Sequence, residues 1–104
     1  MNEIPLFDTG DLSPGEIKLV EREGCSPIAV YNLDGVYFAT DDTCTHGEAS
    51  LSEGDIEGEE VICPFHMGSF NIRTGEAVQG PCVAAVRSYR VRVEDNVLYL
   101  DLGE

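Results

Sequence analysis

The chain has 104 residues, 20 of them acidic and 6 basic, with four Cys, two His and no Trp. A chain this short supports one hydrophobic core and no second domain, and a formal charge of −14 lacks the basic footprint that phosphate or anionic lipid demands. Nucleic acid and membrane surfaces are therefore not expected as partners, and the self-repelling charge favours a soluble monomer whose natural complement has a basic face.

The start, Met1-Asn2-Glu3-Ile4-Pro5, lacks the basic-then-apolar pattern of an export signal, and no apolar run approaches a membrane span. A cytoplasmic chain is expected. In that reducing setting four Cys point to metal or redox work rather than to disulfides. No repeat, low-complexity tract or linker divides the sequence, so residues 1–104 are read as one domain.

The first strand pattern is at Ile17 to Arg22, where Ile17, Leu19 and Glu21 share one face and Lys18, Val20 and Arg22 the other. Ile28 to Leu33 and Val36 to Ala39 flank Asp34-Gly35, a dipeptide suited to the positive φ angles of a two-residue hairpin turn. Tyr89, Val91 and Val93 alternate with Arg90 and Arg92. Glu94-Asp95-Asn96 then turns the chain into Val97 to Leu102, with Leu98, Leu100 and Leu102 on one face. Glycines and prolines punctuate the remainder, and no stretch carries a capped helical period. The expected class is all-β, with at most a helical turn near Ser13-Pro14-Gly15 or Glu48 to Leu51.

Chemistry concentrates in two segments separated by sixteen residues: Cys44-Thr45-His46 and Cys63-Pro64-Phe65-His66. Each offers a thiolate and an imidazole, and two sulfurs with two nitrogens suit either zinc or an iron–sulfur cluster. A structural zinc site usually draws its Cys pair from one element and its His pair from another. Here each element is mixed, which suits a two-metal core where each loop serves both metals. Both histidines are taken by this set, leaving no base for a hydrolytic nucleophile, and no Gly-rich phosphate or dinucleotide loop is present. These residues lead us to expect no enzyme active site.

The pattern Cys-x-His, sixteen residues, Cys-x-x-His resembles the Rieske [2Fe–2S] motif. Similarity to the small Rieske ferredoxins of bacterial aromatic-ring dioxygenase systems runs over nearly the whole chain. It includes the Asp-Gly hairpin, Tyr37-Phe38-Ala39-Thr40-Asp41-Asp42, Cys44-Thr45-His46-Gly47, the Cys63–His66 loop, Thr74-Gly75-Glu76-Ala77 and the final Leu100-Asp101-Leu102. The resemblance implies a Rieske fold: an antiparallel, sandwich-like β base bearing a small cluster-binding subdomain, its loops within about residues 41–82. It implies one [2Fe–2S] cluster on Cys44, His46, Cys63 and His66. It also implies an electron shuttle between an NADH-dependent flavoprotein reductase and the Rieske centre of a terminal oxygenase.

Two other readings stand beside it: a Rieske subunit of another oxidoreductase, such as a nitrite-reductase-like complex, and a structural zinc-binding interaction module. Compared with respiratory Rieske proteins, Ala49 and Phe65 replace a disulfide pair, and Gly68 and Phe70 replace two hydroxyl donors. A potential near the low end of the Rieske range is expected. Cys25 and Cys82 are read as small buried hydrophobes. Gly80-Pro81-Cys82 is either an ordinary turn or, by the resemblance, a third loop shielding the cluster. Gly47 and Gly68 are expected to let backbone approach the sulfurs. From Glu23 to Ile72 there is no Lys or Arg but ten acids, eight of them between Asp41 and Glu60, which predicts a negative cluster end that steers a basic partner.

Overall fold

The computed structural model describes residues 3–21, 27–43, 50–64, 68–79 and 85–101. Its elements in chain order are β1 (Glu3–Asp8), a 3-10 turn (Thr9–Asp11), β2 (Ile17–Val20), β3 (Ile28–Leu33), β4 (Val36–Asp41), a second 3-10 turn (Leu51–Glu53), β5 (Asp55–Glu57), β6 (Glu60–Ile62), β7 (Ser69–Asn71), β8 (Ala77–Gln79), β9 (Ser88–Glu94) and β10 (Val97–Asp101). Every named pairing is antiparallel. A six-stranded sheet runs β1-β10-β9-β4-β3-β2, and a smaller one runs β5-β6-β7-β8. The all-β class expected from sequence is the class observed.

The large sheet curls on itself. Its two edge strands approach closely enough for Lys18 Nζ on β2 to sit 5.4 Å from the ring centroid of Phe7 on β1. The interior is filled by Leu12, Ile28, Val30, Ala39, Leu98 and Leu100. A second cluster lies between the sheets, where Ala29 and Tyr31 from β3 meet Leu51, Val61, Cys63, Phe70, Ile72 and Val86. Strand β3 thus serves both cores, Ile28 and Val30 facing one and Ala29 and Tyr31 the other. That is why its sequence reads as a nearly continuous apolar run rather than an alternation.

The two expected hairpins are present. Asp34 and Gly35 take φ of 55° and 94°, and Asp95 and Asn96 take 53° and 67°, the positive pair of a type I′ turn. The second turn is tighter than expected, because Glu94 still pairs with Val97. Asn32 braces the first turn from inside: Oδ1 accepts from Gly35 N–H at 2.7 Å, and Nδ2 donates to the Leu12 carbonyl at 2.9 Å. On β10, Leu98 and Leu100 are fully buried, as the alternation predicts; Leu102 lies outside the described residues.

The helical turns fall elsewhere than expected. One is at Thr9–Asp11, capped by Asp8, whose Oδ1 accepts from Gly10 N–H at 2.9 Å. Ser13-Pro14-Gly15 is instead a plain turn with Gly15 at a φ of 85°. The other helical turn, Leu51–Glu53, starts where the expected Glu48 to Leu51 segment ends; Glu48 is outside the described residues. Strand β1 escaped notice because it contains Pro5, tolerated here on an edge strand beside a register shift between Pro5 and Phe7. Strands β5 to β8 have only three residues each, too few to show a period.

Candidate metal centre

The first Cys/His segment hangs from the end of β4. Residues 44–49 lie outside the described residues, but both their flanks are placed. Thr43 and Ser50 form an antiparallel bridge, and Leu51 N–H donates to the Asp42 carbonyl at 2.7 Å. The Asp42 carboxylate reinforces this closure: Oδ1 accepts from Ser52 N–H at 2.7 Å and Oδ2 accepts from the Ser50 hydroxyl. Asp42 itself is anchored by its N–H donating to the Pro27 carbonyl at 3.0 Å.

The second segment begins at the end of β6. Cys63 is fully buried in the intersheet core, and its N–H donates to the Gly68 carbonyl at 2.7 Å, which closes the root of the β6–β7 connection. Gly68 is buried, and its described role is this carbonyl, which fixes the loop root. Gly54 draws the two segments together. A Cβ there would lie 2.0 Å from the Ile62 carbonyl oxygen, so only glycine lets the turn after the first loop rest against the backbone next to Cys63. Leu51 and Cys63, one at the root of each loop, are both fully buried in the same cluster.

A third loop starts beside them. Gln79 pairs with Ser69, one residue from Gly68, and the returning strand places the Arg87 carbonyl 2.9 Å from Asp41 N–H. Gly75 admits this return, since a Cβ there would lie 2.1 Å from the Val86 carbonyl oxygen. Three loop roots therefore gather at one end of the molecule. Gly80, Pro81 and Cys82 lie outside the described residues, as do Cys25, Cys44, His46, Gly47, Ala49, Phe65 and His66. Cys63 is the one predicted ligand that is described. Among the described residues no trio of His, Cys, Asp or Glu side chains is disposed to hold a metal.

Hydroxyl supply near the Cys63 loop follows from the small sheet. Phe70 is fully buried in the intersheet core. Ser69 is also fully buried, but its hydroxyl donates to Glu60 Oε1 at 2.8 Å. The acidic run is more dispersed than its sequence position implies. Glu57, Glu59 and Glu60 lie at the β5–β6 turn, about 10 Å along the strand from Cys63 at roughly 3.3 Å per residue. Glu59 is also paired with Arg73 at 3.0 Å. Asp41 is half-buried and accepts from the Tyr89 hydroxyl at 2.6 Å. Among the described acids of the run, Glu53 and Asp55 are left as exposed charges close to the loop roots.

Comparison with known proteins matches residues 2–90 to the Rieske [2Fe-2S] domain. The chain belongs to this family. It is 44% identical over 102 residues to the ferredoxin CarAc of Metapseudomonas resinovorans, covering 96% of this chain and 95% of that one. It is 46% identical over 101 residues to the ferredoxin component of the p-cumate 2,3-dioxygenase system of Pseudomonas putida, covering 96% and 86%. Among solved structures, a chain in a complex of reduced oxygenase and oxidised ferredoxin of carbazole 1,9a-dioxygenase superposes with a TM-score of 0.91 at 41% identity, covering 94% and 91%. A chain described as the small subunit of a nitrite reductase superposes with a TM-score of 0.81 at 26% identity, covering 97% of this chain and 99% of that one. The Rieske fold expected from the resemblance is thereby established, and membership of the family carries an iron–sulfur cluster with it.

The residues sequence reading missed are Asp42, Ser50 and Ser52. Their signal was an acid just before the first Cys and a Ser-Leu-Ser just after the loop, neither of which belongs to the thiolate and imidazole set.

Proposed function

We propose that this protein is a one-electron carrier, a Rieske ferredoxin that receives electrons from a flavin-containing, NADH-dependent reductase and delivers them to the Rieske centre of the terminal oxygenase in an aromatic-ring dioxygenase system. One observation carries the reading: the two Cys/His segments root on a single core, at Leu51 and Cys63, in a chain alike over nearly its full length to ferredoxin components. The chain works as one domain over residues 1–104, with its cluster loops within about 41–82, as a cytoplasmic monomer. Among the described residues no helix is long and apolar enough to cross a membrane.

Cys44 and Cys63 would hold the cluster as thiolates and His46 and His66 as neutral imidazoles. That donor set leaves an oxidised core near neutral where four thiolates would leave about −2, which makes reduction easier. A [2Fe–2S] cluster bound there supplies a single-electron couple. The chain sets its surroundings: Leu51, Val61 and Phe70 exclude water from the Cys63 root, and the Ser69 hydroxyl is committed to Glu60. With no tyrosyl hydroxyl at position 70 and no seryl hydroxyl at 68, the potential should lie near the low end, about −150 mV, of the Rieske range. A clearly positive value by protein-film voltammetry contradicts this.

Electron paramagnetic resonance of the dithionite-reduced protein tests the function. A Rieske spectrum, lost in His46→Ser and His66→Ser, is expected. A native spectrum in either variant rejects that ligand, and absence of iron and acid-labile sulfide after anaerobic reconstitution rejects the carrier. A nitrite-reductase-like subunit is the weaker reading, and transfer of electrons by the purified chain to an added oxygenase separates the two.

A further inference from the structure

Asp42 is the one charged residue among the described buried side chains, 3% exposed. Burying a carboxylate is costly, and an apolar residue of similar size serves stability as well or better. What the carboxylate does here is local. Both its oxygens are spent on the far side of the first loop, Oδ2 accepting from the Ser50 hydroxyl and Oδ1 from Ser52 N–H at 2.7 Å. Because the Ser50 proton goes to Asp42, the 2.8 Å contact between the two seryl oxygens is a donation from Ser52 to Ser50. The Asp42 carbonyl takes Leu51 N–H at 2.7 Å, and the Thr43–Ser50 bridge lies between. One residue therefore ties both ends of the 43–50 segment, and the carboxylate adds nothing to either apolar core.

We propose that Asp42 is a positioning residue for the first ligand loop, its carboxylate fastening the root from which the segment carrying Cys44 and His46 springs, at Ser50 and Ser52. This rests on the reading above that those two residues are ligands. Outer partners that orient metal ligands act on metal retention and on the electronic state of the centre, beyond their effect on folding. Asn at this position keeps the side chain's size but offers one acceptor where the loop root needs two, and Ser50→Ala removes one of the carboxylate's two bonds, together with the Ser52 hydroxyl's bond to Ser50, while leaving Ser52 N–H on the carboxylate.

The test uses the loaded protein and three variants: Asp42→Asn, Ser50→Ala and, as a control, Asn32→Ala. Asn32 is a buried polar residue at the other end of β3, bonded to Leu12 and Gly35. Iron release to EDTA, g-values and midpoint potential are read together with thermal unfolding. Asp42→Asn should release iron about tenfold faster or more, with shifted g-values and a raised potential, since a negative charge leaves the loop root. Ser50→Ala should move the same readouts less. Asn32→Ala should lower thermal stability and leave g-values and potential alone. Native g-values and potential in Asp42→Asn, or release rates that merely follow thermal stability across the three, overturn the proposal. If Asp42→Asn does not fold, a native release rate and g-values in Ser50→Ala overturn it instead. Lack of iron in the unmodified chain is a separate failure, of the ligand reading itself, and removes this proposal with it.

Discussion

The two sheets are held by different means. In the curled six-stranded sheet, strands of four to seven residues pair around a core that draws on both sheet edges. The small sheet has four strands of three residues each, too little to stand alone in water. It is held by packing Val61, Phe70 and Ile72 against Ala29 and Tyr31 and by two backbone approaches, Gly54 on Ile62 and Gly75 on Val86. The base supplies stability, and the small sheet uses it to hold the loop roots. Damage to the intersheet core should therefore be felt at the metal centre, whereas equal damage inside the curled sheet should be felt in stability alone.

The largest separation comes from a pair of truncations. Phe70→Ala should cost about 3–5 kcal/mol and Leu100→Ala about 2–5 kcal/mol by denaturant unfolding. Phe70→Ala should also accelerate iron loss from the folded protein, while Leu100→Ala should not; equal iron-loss rates in the two would erase the distinction. Next is Gly54→Ala. Its Cβ would meet the Ile62 carbonyl oxygen at 2.0 Å, so backbone must move, at about 1–3 kcal/mol, or roughly 4–20 °C in Tm for a chain of this size. Gly10→Ala, where the nearest atom is the Asp8 carboxylate oxygen at 3.3 Å, should change Tm far less.

Alkaline titration probes the boundary between the two regions. Burial holds the Tyr31 phenol well above its ordinary range; the nearby Asp42 adds to this and the hydrogen bond with Thr40 partly opposes it. The unfolded chain ionises this group first, so its contribution is complete below about pH 10 and is lost as pH rises above that, at up to about 1.4 kcal/mol per pH unit. Tyr31→Phe should flatten that limb of the stability–pH curve, and an unchanged limb would show that another group governs it. The smallest effect is electrostatic. With Glu53 and Asp55 as the exposed described acids near the loops, electron exchange with a basic partner should slow with ionic strength only modestly. A steep dependence in stopped-flow experiments would show a stronger negative pole than these two residues supply.

The intersheet core explains which parts of the fold were readable. Hairpins β3–β4 and β9–β10 could be read because Asp34-Gly35 and Asp95-Asn96 are local turn signals and their strands are long enough to alternate. Strands β5 to β8 could not, because Val61, Phe70 and Ile72 acquire their meaning from Ala29 and Tyr31, some thirty to forty positions away. The acidic run shows the same limit. Counted along the chain it surrounds the proposed ligand loops, but in space the β5–β6 turn carries part of it about 10 Å from Cys63, at roughly 3.3 Å per residue, and Asp41 and Asp42 turn inward.

The proposal of Cys44, His46, Cys63 and His66 as ligands comes from sequence alone, from a mixed thiolate and imidazole set at that spacing, and of the four the structure describes Cys63. The sequence also determined the all-β class and the two principal hairpins, whose signals lie within a few residues. Only the tertiary structure decided that Leu51 and Cys63 share one core, that Gly54 closes the gap between their loops and that Asp42 clasps the first of them. Those relations join residues distant in the chain, and their physical content is close packing and buried hydrogen bonding, which exist only once the two sheets have met.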